Sequence, residues 1–495
     1  MIVNRIYRWA HEQPGKTAVI FNNRALDYLT FARAIDTTRR FLEAQNLPAS
    51  TLAVVVSPNL LEAWLLVMAA RALGMTTIMV LSIDQADTLK LRQVSCLLAH
   101  QNHRAELQLS HDSLAGVRRV IVPEAIYADV HTGEPPRRLS ASPPLGGHIL
   151  YTSGTTGDYK KLLVEGATED QRNAARAQMS DITRETLFHA LVFGLWTGIG
   201  FKTSSAVWRS GGGVVIDQTP ERDANFLRYP ITYAQTTPGT LRPIVDARDP
   251  SAEPVQGLLL RCGGGFVPES LARQAVARIS RDFVVGFSST EMANSLMQSR
   301  FETTEDLVWL RPRTEGRVQV VDENGDECPP GVEGELRVLV TDGDSTAYLD
   351  DDEASARVFH DGFFYPGDAA VRRADGRIRV LGRTADVINV SGVKHALAPI
   401  EQRVQQILGV EEVCIFSGLS EGGVEELVVA VQSERDLDPL DVERALGASG
   451  LFESIRVEFF REFPRTTAGL AKTRRSELRR LAFERAKPAT STWRQ

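Results

Sequence analysis

Tyr151-Thr-Ser-Gly-Thr-Thr-Gly-Asp-Tyr-Lys-Lys161 continues directly from the apolar run His148 to Tyr151. The apolar run reads as a strand, and on α/β sheets ligands collect at the carboxyl ends of the strands. The residues after it concentrate hydroxyls, glycines and a cation. Thr152, Ser153, Thr155 and Thr156 offer donors, Gly154 and Gly157 let main-chain N–H groups approach a polyanion, and Lys160 supplies positive charge. Glycine and hydroxyl clusters also make plain turns, but this one combines them with a lysine and a preceding strand. A Walker phosphate loop is excluded: counted from Gly154, it needs glycine at 159 and Ser or Thr at 161, where Tyr159 and Lys161 stand. The stretch predicts a flexible cradle for a triphosphate.

On the amino side of this stretch the chain alternates strand and helix signals. LAVVV (52 to 56) reads as a buried strand, Ser57 as a cap for a helix opened by Pro58, and Gly74 as its stop before TTIMVL (76 to 81). That is a βαβ unit, the building block of parallel sheets covered by helices. From about 104 to 147 the pattern weakens and ends in PPRRLSASPPLGG, which reads as a connector. A second boundary is expected near 383 to 386. Beyond it, helix-spaced Ile400, Val404, Ile407 and Leu408 open a second, smaller unit. The expected fold class is therefore α/β, with a large N-terminal domain (1–383) of parallel-rich sheets packed with helices and a small α+β C-terminal domain (384–495).

Length and charge narrow the function. A chain of 495 residues exceeds one ordinary core. With 43% hydrophobic and 24% charged residues it has the balance of a folded globular protein. A net charge of −7 argues against general attraction to nucleic-acid backbones. The basic run KTRRSELRR (472 to 480) reads as a solvated helix face. Cys96, Cys262, Cys328 and Cys414 are widely spaced and form no CxxC pair, so neither a zinc site nor a disulfide framework is suggested. The polar start MIVNRIYRWAHEQPGK is no secretory signal, and Arg71 and Gly74 interrupt the most apolar stretch. A cytoplasmic location and no integral membrane segment are expected.

The loop resembles that of the adenylate-forming (AMP-binding) superfamily of acyl- and aryl-CoA ligases, peptide-synthetase adenylation domains and firefly luciferase, with a pattern close to YTSGTTGxPKG. Six consecutive residues, TSGTTG, match. Further stretches resemble the family's other motifs, in order. Gly263-Gly264-Gly265-Phe266-Val267-Pro268 is similar to its Gly-Gly-x-Pro turn along the adenosine and acyl group. Gly286-Phe-Ser-Ser-Thr-Glu291 is similar to its aromatic-Gly-x-Thr-Glu motif. This implies that Phe287 stacks near adenine beside Ser288 and Thr290, and that Glu291 helps hold magnesium. Asp361-Gly-Phe-Phe-Tyr-Pro-Gly-Asp368 resembles DGWxxTGD, which implies that Asp368 accepts from the ribose hydroxyls. Gly382-Arg383 through Gly392-Val-Lys394 resembles the crossing into a small mobile domain; Arg383 would contact ribose or phosphate, and Ser391 and Gly392 would line the thiol's tunnel. Pro464 to Leu478 resembles PxTxxGKxxRxxL, which makes Lys472 the lysine that stabilises charge at the α-phosphate.

The resemblance implies a two-step ligase: a carboxylate attacks Mg-ATP to give acyl-AMP and pyrophosphate, and a thiol, CoA foremost, displaces AMP. Between Thr186 and Ile216 there is no acidic residue to pair an amino group. The expected substrate is thus a fatty or aryl acid without a free α-amine, held by Phe193, Trp196 and Phe266. Departures stand at Tyr159, Lys161 and Ala385, the last at the hinge. Two other readings stay open: a stand-alone enzyme loading an acyl carrier protein, and a degenerate nucleotide-binding regulatory protein.

Overall fold

The computed structural model describes residues 2–108, 114–140, 142, 144–153, 159–383, 387–390, 393–419, 425–447, 455–465 and 473–484. Strand Leu52–Val56, helix Leu60–Ala72 and strand Thr76–Val80 form the expected βαβ unit, with the two strands paired in parallel. The helix does not start where the sequence suggested. Asn59, rather than Ser57, is its cap, accepting from the main-chain N–H of Leu61 and Glu62. A distant side chain fixes this start, since Gln218 accepts from Leu60 N and donates to Pro58 O.

Among the described residues, this unit belongs to a six-stranded sheet. Its order is Arg118–Val122, Val94–His100, Leu52–Val56, Thr76–Val80, His148–Ser153 and Tyr159–Val164, parallel except for the last pair. The stretch expected to be a connector thus contributes the edge strand Arg118–Val122, which pairs with Val94–His100. A nine-stranded sheet lies beside it, with a parallel centre from Thr17–Phe21 through Gly213–Ile216, Leu187–His189, Tyr233–Thr236 and Leu259–Gly263 to Asp282–Phe287. An antiparallel sheet built from strands between Val318 and Arg383 comes next along the chain.

The α/β class and the parallel-rich large domain expected from the sequence are the architecture observed. In the C-terminal part, helix Leu397–Leu408 packs on the sheet of Glu412–Leu419, Glu425–Gln432 and Ile455–Phe460. Val404 is buried in that core, with Ile400 and Leu408 packed against it. Ile407 is 56% exposed, one step off the buried stripe. The boundary expected at 383/384 abuts residues 384–386, which with Ala385 lie outside the described residues. All four cysteines are buried free thiols. Among the described residues no helix is long and apolar enough to cross a membrane.

Candidate active site

The hydroxyl- and glycine-rich loop is carried by a hairpin. Strands His148–Ser153 and Tyr159–Val164 pair antiparallel, with Thr152 opposite Lys160 and Ser153 opposite Tyr159. Gly154, Thr155, Thr156 and Gly157, with Ser391, Gly392 and Lys472, lie outside the described residues. The hairpin fixes where the loop leaves and re-enters the sheet. Its base is anchored by His148, whose Nε2 meets Leu195 O at 3.0 Å and whose Nδ1 meets Thr77 Oγ1 at 2.8 Å. Burial, then the charge of Arg71, lowers the His148 pKa to about 3, so its imidazole stays neutral.

The glycine turn and the acidic motif end adjacent strands. Leu259–Gly263 and Asp282–Phe287 pair in parallel, with Gly263 beside Gly286. A Cβ on Gly263 would stand 2.5 Å from Gly286 O, so this approach requires glycine. Gly264 sits next to it at φ +77°, a left-handed conformation that glycine adopts without a Cβ penalty. Gly264 and Gly265 are exposed and Phe266 half-buried before helix Glu269–Arg278. Both strands thus stop at one edge, where Phe287 is half-buried and Ser288 exposed.

Glu291 is buried, and its two carboxylate oxygens accept from different donors: Oε2 from the Ser289 hydroxyl, Oε1 from the Tyr348 hydroxyl at 2.7 Å. Burial, reinforced by the charge of Glu291, raises the Tyr348 pKa far above its ordinary value and keeps the phenol a donor. The Lys160 ammonium lies over the same ring, 4.6 Å from its centroid. Tyr348 therefore couples the lysine of the hairpin to the carboxylate of the acidic motif. The sequence reading missed it, because one tyrosine 57 positions beyond Glu291 carries no local signal.

Lys161, a departure from the family pattern, also serves this geometry. Its Nζ donates to Leu89 O at 3.2 Å and lies 3.6 Å from Asp350, while its carbonyl accepts from Leu349 N. The residue after Lys160 thus tethers the segment that carries Tyr348. Tyr159 meets Tyr151 edge-on at 5.6 Å.

Asp368 begins strand Asp368–Arg372 and is paired in register with Arg383, whose Nε lies 3.5 Å from its carboxylate. Arg383 also donates to Pro366 O and keeps an exposed side chain. The residues proposed for acyl contact fall in different packing environments. Phe193 belongs to one core cluster, with Leu191, Val215 and Phe226 among its members, Trp196 belongs to the other large core, and Phe266 is in neither. The Trp196 indole N–H is buried without a partner among the described residues.

Magnesium can be tested against this donor set. Among the described residues, Glu291 presents two hard oxygens with one hydrogen bond each, leaving lone pairs for a cation. One carboxylate suffices for magnesium, which completes its shell with waters and nucleotide phosphates. The residues present fit an ion delivered with the nucleotide.

The family model described as AMP-binding enzyme matches residues 6–341. Among curated relatives, the indoleacetate–CoA ligase of Aromatoleum aromaticum is 28% identical, covering 96% of this chain and 97% of that protein. ATP-bound MatB from Rhodopseudomonas palustris superposes with a TM-score of 0.80 at 17% identity, over 98% of this chain and all of that one (100%). The anthranilate CoA ligase AuaEII, solved with anthranoyl-AMP, gives 0.79 at 18% identity over 97% of each chain. These two solved structures share the fold.

Proposed function

The chain belongs to the AMP-binding enzyme family, and from that premise we propose that it activates a carboxylic acid with ATP to an acyl-adenylate and transfers the acyl group to CoA, releasing AMP and pyrophosphate. The observation that carries this reading is the coupling of Lys160 to Glu291 through Tyr348, 4.6 Å on one side and 2.7 Å on the other, beside the hairpin that bears the loop. One cation and one carboxylate held together suit a metal–triphosphate.

In this reading Thr152, Ser153, Gly154, Thr155, Thr156, Gly157 and Lys160 hold the phosphates. Gly264, Gly265, Phe287, Ser288 and Thr290 border the adenosine, and Asp368 and Arg383 hold the ribose. Bound magnesium supplies charge neutralisation at the phosphates. Glu291 orients that charge, and Lys472 stabilises the α-phosphate as the acid attacks. Ser391 and Gly392 line the approach of the thiol. The large unit 1–383 carries nucleotide and acid, and the unit 384–495 brings Lys472. The absence of an acidic side chain from 187 to 215 supports an acid without a free amine. The indoleacetate–CoA ligase relative favours the aryl class, with Phe193, Trp196 and Phe266 kept as candidate acyl contacts. The enzyme would work in the cytoplasm.

The test is carboxylate-dependent exchange of pyrophosphate into ATP, across aryl, fatty and short-chain acids, with and without Lys472→Ala. Exchange with aryl acids, lost in the variant, and thioester formation on adding CoA are expected. No exchange with any acid would overturn the proposal, and exchange at the parent rate in the variant would remove Lys472 from it.

A further inference from the structure

The segment carrying Glu291 has little regular structure of its own, so its main-chain carbonyls need partners from elsewhere. Four consecutive carbonyls find them. Ser345 N donates to Glu291 O at 2.8 Å, and Arg176 Nη2 donates to Ala293 O. The other two, flanking Glu291, share one donor: Lys202 Nζ donates to Thr290 O at 2.8 Å and to Met292 O at 3.3 Å. Asp344, which accepts from Ala293 N at 2.8 Å and pairs with Arg317 at 2.6 Å, fixes the far end.

Lys202 is offered from a stiff base. It lies in the π-helical turn Gly198–Thr203, whose cap Thr197 accepts from Gly200 N and donates to Gly194 O, both at 2.9 Å. Thr203, the next residue, donates to Gln235 Oε1 at 2.9 Å. Single π turns are frequent at functional sites.

The choice of a lysine is costly. Its side chain lines a small, partly open cavity with Glu169, Arg172, Asn173 and Arg176. Desolvation, then the charge of Arg176, depresses its pKa to about 7, with Arg172 acting in the same sense and Glu291 and Asp344 opposing. An apolar residue would avoid that penalty but would leave Thr290 O and Met292 O without this donor, so the two acceptors account for a lysine here.

We infer that Lys202 is a positioning residue for the adenylation step: by holding the carbonyls on both sides of Glu291 it sets the carboxylate toward the nucleotide's metal. This rests on the reading of Glu291 given above and adds a residue that no motif contains. Lys202→Met keeps the length and removes every donor. Partners that orient metal ligands are worth about ten- to a hundred-fold in metal affinity or activity. In pyrophosphate exchange, the half-saturating Mg²⁺ of Lys202→Met should rise by about that factor while the KM for the carboxylate changes less than about twofold. The protection from thermal unfolding given by Mg-ATP should weaken in parallel. Lys202→Gln, which keeps an N–H donor, should fall between parent and Met variant, and serves alone if the Met variant does not fold. Glu291→Gln separates the two readings. If it leaves the Mg²⁺ dependence unchanged, the assignment of Glu291 fails. If it shifts that dependence while folded Lys202→Met does not, or if Lys202→Met raises both constants equally, the positioning role is overturned. In the Glu291→Gln background, Lys202→Met should add nothing to the Mg²⁺ dependence.

Discussion

Removing one oxygen atom tests the centre of the site. Tyr348→Phe deletes the hydroxyl that donates to Glu291 Oε1 at 2.7 Å and keeps the ring beneath Lys160. A buried hydrogen bond to a charged group is worth about 1.5–3 kcal/mol. At about 1.4 kcal/mol per factor of ten, full expression of that loss corresponds to roughly ten- to a hundred-fold. The Ser289 hydroxyl still holds Oε2, so the carboxylate is loosened rather than released, and the lower part of that range is expected. Because Tyr348 titrates far above its ordinary range, the effect should be independent of pH from about 6 to 9, a window below the ordinary tyrosine pKa. The assay is pyrophosphate exchange titrated with Mg²⁺ at fixed ATP. Tyr348→Phe should raise the half-saturating concentration about tenfold, and Tyr348→Leu should add a smaller rise in the KM for ATP, since an ammonium over a ring contributes about 0.5–2 kcal/mol. A well-folded Tyr348→Phe with parental or tighter Mg²⁺ dependence would refute the coupling.

The Arg71–Glu169 pair, 3.0 Å apart with side chains 0% and 2% exposed, should cost about 3–5 kcal/mol when Glu169→Gln leaves the guanidinium unpaired. In denaturant melts, Arg71→Met combined with Glu169→Leu should recover much of that loss. His148 and His189 are held neutral, at about 3 and about 4, by burial first. Between about pH 6.5 and 4 the unfolded chain takes up protons at these positions that the folded chain does not, so stability falls as the pH falls, by up to about 1.4 kcal/mol per pH unit for each histidine. Melting from pH 7 to 5 should show that slope, and His148→Asn should reduce it. For Lys202, held near 7 by desolvation and by Arg176 and Arg172 against Glu291 and Asp344, the window lies higher: from about pH 7 toward 10 the unfolded chain keeps a proton the folded one has lost. Parental stability should therefore rise with pH in that window relative to Lys202→Met, and parallel pH curves for the two would contradict it.

The legible part of the sequence was local. Leu52 to Val56 and Thr76 to Leu81 are apolar runs of strand length on either side of a helical segment, and they pair in parallel in the sheet that carries the hairpin. Glu291 and Asp368 could be singled out because each stands in a short string that resembles a motif of the family. Where distant residues decide, the reading slipped. Ser57 loses the helix cap to Asn59 because Gln218, 158 positions from Leu60, fixes the first turn. Arg118–Val122 becomes a strand because Val94–His100 offers it a free edge, although its own pattern is weak. Tyr348 and Lys202 reach Glu291 and its neighbours across 57 and 88 positions, and neither belongs to a recognisable string.

The departures in the loop acquire a physical meaning from strand alternation. Tyr159, Lys160 and Lys161 begin the strand Tyr159–Val164, so Lys160 projects to one face while Tyr159 and Lys161 project to the other. The residues that replace the family's proline and glycine are therefore turned away from the face Lys160 serves. They are also occupied: Tyr159 against Tyr151, and Lys161 with Leu89 O and Asp350. Each substitution secures the hairpin or the segment leading to Tyr348, and Lys160 keeps its place over that ring. Loss of function would leave such positions free to drift toward unpartnered side chains. A lysine that bonds a carbonyl 72 positions away, and whose own carbonyl holds the residue next to Tyr348, supports instead a site whose supports changed while its charges were kept.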